Sequence, residues 1–335
     1  MKHFYRYCII SLLFIQSLIG QNFFPILGGQ RAGTSIFTFL KIGVSARAEG
    51  MGEAVVALQQ DAASIFYNPA TIAQFSGTNF SASRIQWPAE INYDFFAFTQ
   101  QLKGRHSVGL SGGILHMEPM EETTEYFPSG TGNYFIFQDR FISITYGAKM
   151  TDRFSFGVSF KHVAEDLDNY NMNAILLDVG TFYWTGFKSL RFCASLSHFG
   201  PQVSPVGSYE NRILDKSSGN EIIEKSSFQQ FSPPTIFRIG AAVDPILDKK
   251  KHLIVSFQLN HPVDNAEYIV SGIEYSYMRA LFLRAGYKFN KNEENYSFGA
   301  GVKISFTRFI LSVDYGYTNF QHLSDPKRFS IGLSY

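Results

Sequence analysis

Four glutamates that lie close together are the residues of this chain whose type and spacing could bind a metal ion. They are Glu118, Glu121, Glu122 and Glu125. Carboxylate oxygens are hard ligands of the kind that Ca²⁺ prefers. The alternative interpretation is an acidic loop that is solvated and binds nothing, and the sequence alone leaves both open.

The other reactive residue types form no catalytic pattern. The chain contains no nucleophile elbow, Walker loop, HExxH or CxxC motif. Its eight histidines are scattered, and His106, His162 and His252 are most simply polar residues of a lumen or rim. The run Gly50–Gly52 is not a dinucleotide fingerprint, because Val55 stands where the third glycine belongs. We therefore expect no enzymatic activity, no cofactor and no metal.

The composition indicates an unusual surface. Charged residues make up 17% of the 335 residues and aromatic residues 16%, whereas a soluble domain carries about 25% charged residues. The net charge is +1, which provides no electrostatic basis for binding nucleic acid.

Residues 1–20 have the pattern of a cleaved signal peptide. Lys2 and Arg6 precede an uncharged apolar core, and Gly20 is a small residue at a plausible cleavage point. The alternative is a membrane anchor, but the core is shorter than the roughly 20 residues that a spanning helix needs. Cys193 is then the only cysteine of the mature chain, so no internal disulfide forms. The sequence predicts an exported protein.

From about residue 77 onward, apolar and polar residues alternate with a period of two. Phe154, Phe156, Val158 and Phe160 alternate with Ser155 and its polar neighbours, and such alternation places one set on each face of a sheet. Fourteen segments show this rhythm: 77–87, 91–102, 105–117, 134–150, 152–164, 172–187, 189–200, 234–245, 250–260, 267–278, 280–290, 295–307, 309–319 and 327–335. An even number of strands this long is typical of an outer-membrane barrel.

The connections and the chain end favour the same fold over a soluble sandwich or propeller, which also alternates. Short turns alternate with longer connections, as in barrels whose long loops face out of the cell. The longer ones are 118–133, 165–171, 201–233, 261–266, 291–294 and 320–326. The last strand carries an apolar face that resembles the signal read by barrel-assembly machinery, and its residues are Phe329, Ile331, Leu333 and Tyr335. Roughly seventy outward apolar side chains would cost on the order of 100 kcal/mol in water, so they need a second sheet or lipid. The sequence shows no second set of strands with a matching connection pattern, which favours lipid.

Residues 21–76 precede the first strand and lack its rhythm. A barrel of fourteen strands is wide enough to hold a channel or a plug. We predict that 21–76 form a small helical plug in the lumen of a transmembrane barrel spanning 77–335. Helices are expected over 45–58 and 59–67, with Asp61 able to cap a helix start and Pro69 ending the next one. Trp87 and Trp184 could lie in aromatic girdles at the membrane interfaces.

The stretch 43–73, GVSARAEGMGEAVVALQQDAASIFYNPATIA, resembles the N-terminal signature of the PorV/PorQ family, which is similar to the FadL-type transporters of hydrophobic compounds. That signature has an Ala-Arg-x-x-Gly-Met-Gly turn, an Asp-Asp-Ala run and an Asn-Pro-Ala turn. The matching residues are Ala46, Arg47, Gly50, Met51, Gly52, Asp61, Ala62, Asn68, Pro69 and Ala70. Gln60 departs from the usual acidic pair. The stretches MEETTEY (120–126) and TDRFSFG (151–157) also fit the family.

The resemblance implies an outer-membrane protein with one of two non-enzymatic functions. One is a binding or shuttle component linked to type IX protein secretion, whose partners are the secreted cargo or other secretion components. The other is a FadL-like passive transporter of hydrophobic ligands, and a structural barrel is a third possibility. The polar inward positions weigh mildly against an apolar conduit, and the long loop 201–233 mildly favours a partner or a lid. Outer-membrane lipid and the barrel-assembly machinery are expected partners in every case.

Overall fold

The computed structural model describes residues 32–59, 61–168, 170–214, 221–291 and 293–335. The predicted signal peptide, 1–20, lies outside the described residues. The strands of the described chain are β1 (Thr78–Gln86), β2 (Asn92–Gln101), β3 (His106–His116), β4 (Met120–Glu121), β5 (Tyr134–Phe135), β6 (Phe137–Lys149), β7 (Phe154–Leu167), β8 (Tyr170–Trp184), β9 (Arg191–Phe199), β10 (Ser208–Leu214), β11 (Glu221–Ser227), β12 (Ile236–Leu247), β13 (Lys251–Pro262), β14 (Tyr268–Tyr277), β15 (Leu281–Phe289), β16 (Glu294–Ser305), β17 (Ile310–Phe320) and β18 (Lys327–Ser334).

Fourteen of these strands form a closed antiparallel barrel, which confirms the predicted fold class and strand number. Each strand pairs with its barrel neighbours in chain order, and β1 pairs with β18 to close the ring, with Phe80 opposite Leu333. Closure leaves no free edge within the barrel, which is what a sheet in hydrocarbon requires. The predicted alternation also holds, because Ser155, Ser159 and Lys161 of β7 are buried in the interior while Phe160 is exposed on the outer face.

The connections at the two ends of the barrel differ in length, but one predicted long loop is wrong. The predicted loop 165–171 is a tight hairpin, because β7 and β8 continue pairing as far as Leu167 and Tyr170. Asp168 adopts a φ of 51°, the left-handed conformation that tight hairpins need. The loops 118–133 and 201–233 each carry part or all of a small two-stranded sheet outside the barrel, β4–β5 and β10–β11.

Both tryptophans lie inside the barrel, so their expected place in the outer girdles is wrong. The Trp87 ring packs edge-on against Phe320 at 5.4 Å, and Trp184 Nε1 donates a hydrogen bond to Gln74 at 3.3 Å. Their positions in β8 and just after β1 fall on the inward-facing phase of the alternation. The position of each tryptophan in the inward–outward alternation of its strand therefore decides where its side chain points, whereas its residue type does not.

The described part of the N-terminal segment, residues 32–76, contains only short helices. Helix α1 covers Ala46–Gly50, and three 3₁₀ helices cover Thr38–Lys41, Ala62–Phe66 and Pro69–Gln74. The expected longer helix over 45–58 ends early because Gly52 turns into the left-handed region at φ 63°. Pro69 starts a helix instead of ending one, as suits a residue without a backbone N–H at a first helical position. Among the described residues, no helix is long and apolar enough to cross a membrane.

Candidate functional site in the barrel lumen

The N-terminal segment touches the inner wall where strand glycines face it. A Cβ atom on Gly299 would lie 3.0 Å from the Cα of Gly50, and one on Gly286 would lie 2.0 Å from the backbone nitrogen of Gly52. Because these pairs have no side chains, the two backbones come into direct contact. Gly50 and Gly52 therefore set how closely the segment packs on β15 and β16.

Other motif residues make the same kind of backbone contact. A Cβ atom on Gly316 would lie 2.5 Å from the carbonyl oxygen of Ala46, and one on Gly272 would lie 2.4 Å from that of Met51. Ala62 and Ala70 are fully buried. The backbone of Pro69 and Ala70 likewise contacts Gly157, whereas Gly180 faces the side-chain oxygen of Asn68.

Asn68 links the segment to itself and to the wall. Its side-chain amide donates to the carbonyl oxygens of Val56 at 3.0 Å and Thr181 at 3.1 Å, and its side-chain oxygen accepts from the Ala70 N–H at 3.0 Å. The last bond caps the helix Pro69–Gln74. Asn68 is fully buried, so losing it would leave several polar groups without partners.

Arg47 and the wall form the first buried ion network. Its guanidinium donates two hydrogen bonds to Glu274, at 2.8 and 2.6 Å. Glu274 also accepts from Arg284 at 2.6 Å, and Arg284 donates to Asp314 at 2.6 Å. Two guanidinium groups and two carboxylates thus alternate in one chain of charge-assisted bonds, which satisfies the charges away from water.

Glu49 lies at the centre of a second network, nearer the long-loop end. Lys288 is bonded to Glu49 at 3.2 Å, to Glu53 at 3.3 Å and to Glu294. Arg328 approaches Glu49 at 3.4 Å, and Thr318 donates a hydrogen bond to the same carboxylate. These groups hold the segment against the four consecutive strands β15 to β18.

A third buried network is centred on Lys161 of β7, beside the residue of β8 where the β8–β9 register shifts. The ammonium of Lys161 bonds Asp178 at 2.8 Å and Nδ1 of His198 at 3.0 Å. The same ammonium lies 5.0 Å from the centre of the Phe66 ring and 5.3 Å from that of Phe141, within the range of a cation–π interaction. Aromatic side chains continue from here between the segment and β2 to β6, namely Phe39, Tyr93 and Phe95.

The acidic groups of the segment differ in the direction in which their pKa is shifted. Burial alone would raise the pKa of Glu49, but the neighbouring Arg328 and Lys288 hold it below its ordinary value. Burial raises the pKa of Glu53, and Lys288 opposes that rise only in part. Burial likewise raises the pKa of Asp61, which occupies the N-cap position of the helix Ala62–Phe66.

Two cavities lie on opposite sides of the segment. The outer cavity, of about 50 Å³, lies beneath the long loops and is lined by Leu40, Lys41, Ile236 and Tyr268 among others. The inner cavity, of about 450 Å³, lies at the short-turn end and has Arg47 in its lining. The segment and its ion networks separate these two spaces.

The wall partners of the segment are the site residues that the sequence analysis missed. They are Glu274, Arg284, Lys288, Asp314 and Arg328. Each stands at an inward position of an alternating strand, where a charge is costly unless it is paired. A search for charged residues at inward positions would have identified them, although it would not have paired them.

The structure also describes the acidic loop and the last strand, which the sequence analysis singled out. In the loop, Glu122 accepts hydrogen bonds from Thr131 at 3.0 Å and Asn133 at 2.9 Å. Within the described ranges, no group of three or more histidine, cysteine or acidic side chains could hold a metal ion. The predicted C-terminal signal residues Phe329, Ile331, Leu333 and Tyr335 all lie exposed on the outer face.

Comparison with solved structures supports the fold. No protein-family model and no curated protein matches this chain. The chain is similar to the CymD monoaromatic hydrocarbon channel, with 14% identity, a TM-score of 0.57, and 88% of this chain and 98% of that chain covered. It is also similar to the toluene transporter TbuX of Ralstonia pickettii (13%, TM-score 0.55, 88% and 97% covered). The toluene transporter TodX of Pseudomonas putida is similar to the same degree (13%, TM-score 0.56, 87% and 97% covered). At such identities the likeness establishes a FadL-like barrel fold.

Proposed function

We propose that this chain is a non-enzymatic outer-membrane channel through which hydrophobic small molecules pass without energy input. The observation that carries the proposal is a closed barrel that is similar, over 87–88% of this chain, to the CymD monoaromatic hydrocarbon channel and the toluene transporters TbuX and TodX. Its outer face is apolar, with Ile144, Phe160 and Ile175 among the most exposed side chains. A barrel of this kind can sit in lipid, and the N-terminal segment acts as the plug that controls passage through it.

The proposed route starts in the outer cavity and ends in the inner one. A substrate first meets the apolar side chains Leu40, Pro234 and Ile236 beneath the long loops. It cannot go further until the segment moves, because backbone contacts such as Gly52 to Gly286 leave no gap. The ion pairs of Glu49 and Arg47 are the bonds that this movement has to break. Transport is therefore gated by the segment.

Uptake of a hydrophobic dye by intact cells tests this proposal. N-phenyl-1-naphthylamine fluoresces once it passes the lipopolysaccharide leaflet, and expression of the chain should speed its entry relative to an empty vector. Asn265→Trp places a large ring at the mouth of the outer cavity and should slow entry. Val263→Trp, an exposed position in the same loop outside the cavity lining, is the control and should not. Entry no faster than with the empty vector would refute the channel.

A shuttle role of the PorV/PorQ type is the second candidate. Two observations favour it: the motif residues Arg47 and Asn68 make structural contacts with the wall, and the loop 201–233 carries the hairpin β10–β11 outside the barrel. In this function the outer loops bind secreted cargo of the type IX machinery. Purification of the tagged barrel in mild detergent discriminates the two. Secreted proteins with a shared C-terminal domain would support the shuttle, and lipid-like molecules without protein would support the channel.

A further inference from the structure

The inner cavity is lined by two cations, Lys303 and Arg279, that form no ion pair among the described residues. It is formed by the ends of strands at the short-turn side, with Arg47 and Gln59 of the N-terminal segment as its roof. Its volume of about 450 Å³ is in the range of small-molecule sites. Exposed residues such as Arg279 and Ile310 form its mouth, so it opens toward the periplasm when the long loops face outward.

The carboxylates of the cavity are already bound. Glu274 accepts hydrogen bonds from Arg47 and Arg284, and Asp244 accepts one from Arg191 at 2.9 Å. His252 lies 3.4 Å from the second oxygen of Asp244. Within the described ranges of the chain, no other acidic side chain lines this cavity.

Two cations of the lining are left without such a partner. Across the described residues, neither Lys303 nor Arg279 has a carboxylate oxygen within 4.0 Å. The carboxylates of Asp61, Glu274 and Asp314 act on the charge of Lys303 from a distance, but none of them forms an ion pair with it. Lys303 is partly buried, so water screens its charge less than on an open surface.

The aromatic ring of Phe282 lies beside three cations of the barrel lumen. The guanidinium carbons of Arg47 and Arg284 lie 5.6 and 5.3 Å from the centre of the Phe282 ring, and Lys303 Nζ lies 5.8 Å from it. Ile254 and Trp184 add apolar surface to the same cavity. The side-chain oxygen of Gln59 is buried without a hydrogen-bond partner among the described residues, so it can accept from a hydroxyl or a water molecule.

We infer that the inner cavity binds a small organic anion that carries a carboxylate on an apolar or aromatic body. The carboxylate pairs with Lys303 and Arg279, and the ring packs on Phe282 and Ile254. The inner cavity is also the end of the proposed route, but binding of the anion to the folded barrel does not depend on transport. It gives the periplasmic end of the barrel a selectivity for anions that the apolar outer face does not have.

Titration calorimetry on the full chain in lipid nanodiscs tests the site with benzoate as the probe. We expect one benzoate per barrel, and binding that is about tenfold weaker in Lys303→Gln, as for the loss of one charged hydrogen bond. Arg279→Gln, in an exposed turn, keeps a side chain of similar length and should also weaken binding. Lys250→Gln, in a neighbouring turn at the same end but outside the lining, is the matched control and should bind as the wild type does.

Two further probes separate the parts of the proposal. Benzyl alcohol has the ring without the charge, and inorganic phosphate has the charge without the ring, and both should bind more weakly than benzoate. If benzyl alcohol or inorganic phosphate bound as tightly as benzoate, the assignment would be overturned. Unchanged benzoate affinity in both Lys303→Gln and Arg279→Gln would overturn it as well, as would an absence of benzoate binding to the folded barrel.

Discussion

Among single side chains, Glu49 has the largest number of charged contacts between the segment and the wall. It is fully buried, accepts hydrogen bonds from Lys288 and Thr318, and forms an ion pair with Arg328 at 3.4 Å. Its neutral replacement would leave two buried cations with fewer partners, and unpaired buried charge is far more costly than an exposed pair that is lost. The position therefore tests whether the ion network stabilises the closed state.

Glu49→Gln should lower the free energy of unfolding by about 3 kcal/mol, because it removes a buried ionic partner at nearly constant volume. The measurement is the urea midpoint of the purified barrel in detergent micelles. Asp94→Asn is the control, since it breaks the exposed pair with Arg84 at 2.7 Å and should cost at most about 1 kcal/mol. An equal effect of the two substitutions would contradict the role of Glu49.

Asp61 should make the stability of the folded protein depend on pH, because its carboxyl group is partly buried without the cationic partners that Glu49 has. Burial raises its pKa in the folded state, so this group reduces stability at a pH above its unfolded pKa. Stability from this group returns as the pH falls through the folded pKa toward the unfolded value of about 3.9. Asp61→Asn should thus melt at a higher temperature than the wild type at pH 8, and the difference should shrink by pH 4.

Near-ultraviolet circular dichroism in detergent measures these melting temperatures. Asp152→Asn is the comparison, because Asp152 is exposed and pairs with Arg105 at the surface, and it should show little dependence on pH. A gain from Asp61→Asn that increased on acidification would contradict the assigned direction of the pKa shift.

At the level of the elements, the packing of the segment on the wall depends on glycines that lack a side chain. Gly286→Ala would bring a methyl group within 2.0 Å of the Gly52 nitrogen, closer than atoms can approach. The barrel strands should still pair, because the methyl points into the lumen, but the segment should shift. We expect faster trypsin cleavage after Arg47 than in the wild type.

Ala285→Val is the matched control for this change. Ala285 is the neighbouring residue of β15 and faces the lipid side, so added volume there should leave the segment protected. Equal cleavage rates in Gly286→Ala and the wild type would mean that the segment does not depend on this contact.

Removal of the segment tests its role as a plug directly. Deletion of residues 43–70 takes away both ion networks on the segment side and leaves the barrel strands intact. Because no other described element fills this part of the lumen, the variant should insert into membranes and conduct small ions. Conductance in a planar bilayer is the measurement, and currents equal to those of the wild type would argue against a plug.

The barrel was predictable from the sequence, whereas the pairing inside it was not. Alternation such as that of Phe154 to Lys161 is local, so the strand count and the inward residues follow from it directly. The pairing of Arg47 with Glu274 depends on the path of a segment 227 residues away in sequence, and no local pattern encodes that path. The turn at Asp168 could not be predicted either. The sequence predicted a longer loop over 165–171, but the left-handed conformation of Asp168 allows a tight hairpin there.

For the whole molecule, a net charge of +1 conceals a strongly charged interior. Lys161, Glu274, Arg284 and Lys288 are all buried, while large apolar side chains cover the outside. The interior charges are paired, and the many outward apolar side chains would be costly to leave in water, so we expect this distribution to stabilise the protein in lipid. We therefore expect folding of this chain to be coupled to its insertion into a membrane.

The last residue, Tyr335, allows a test of how the barrel assembles in the membrane. Tyr335 pairs with Thr78 through two backbone hydrogen bonds, at 2.8 and 2.9 Å, while its side chain is 76% exposed. Because the ring contributes little packing to the finished barrel, Tyr335→Ser should leave the urea midpoint unchanged and slow the appearance of the folded form in a pulse-chase experiment. Tyr296→Ser, an exposed outward tyrosine of β16, is the control and should assemble at the wild-type rate. A normal rate for Tyr335→Ser would show that the terminal aromatic ring is not read during assembly.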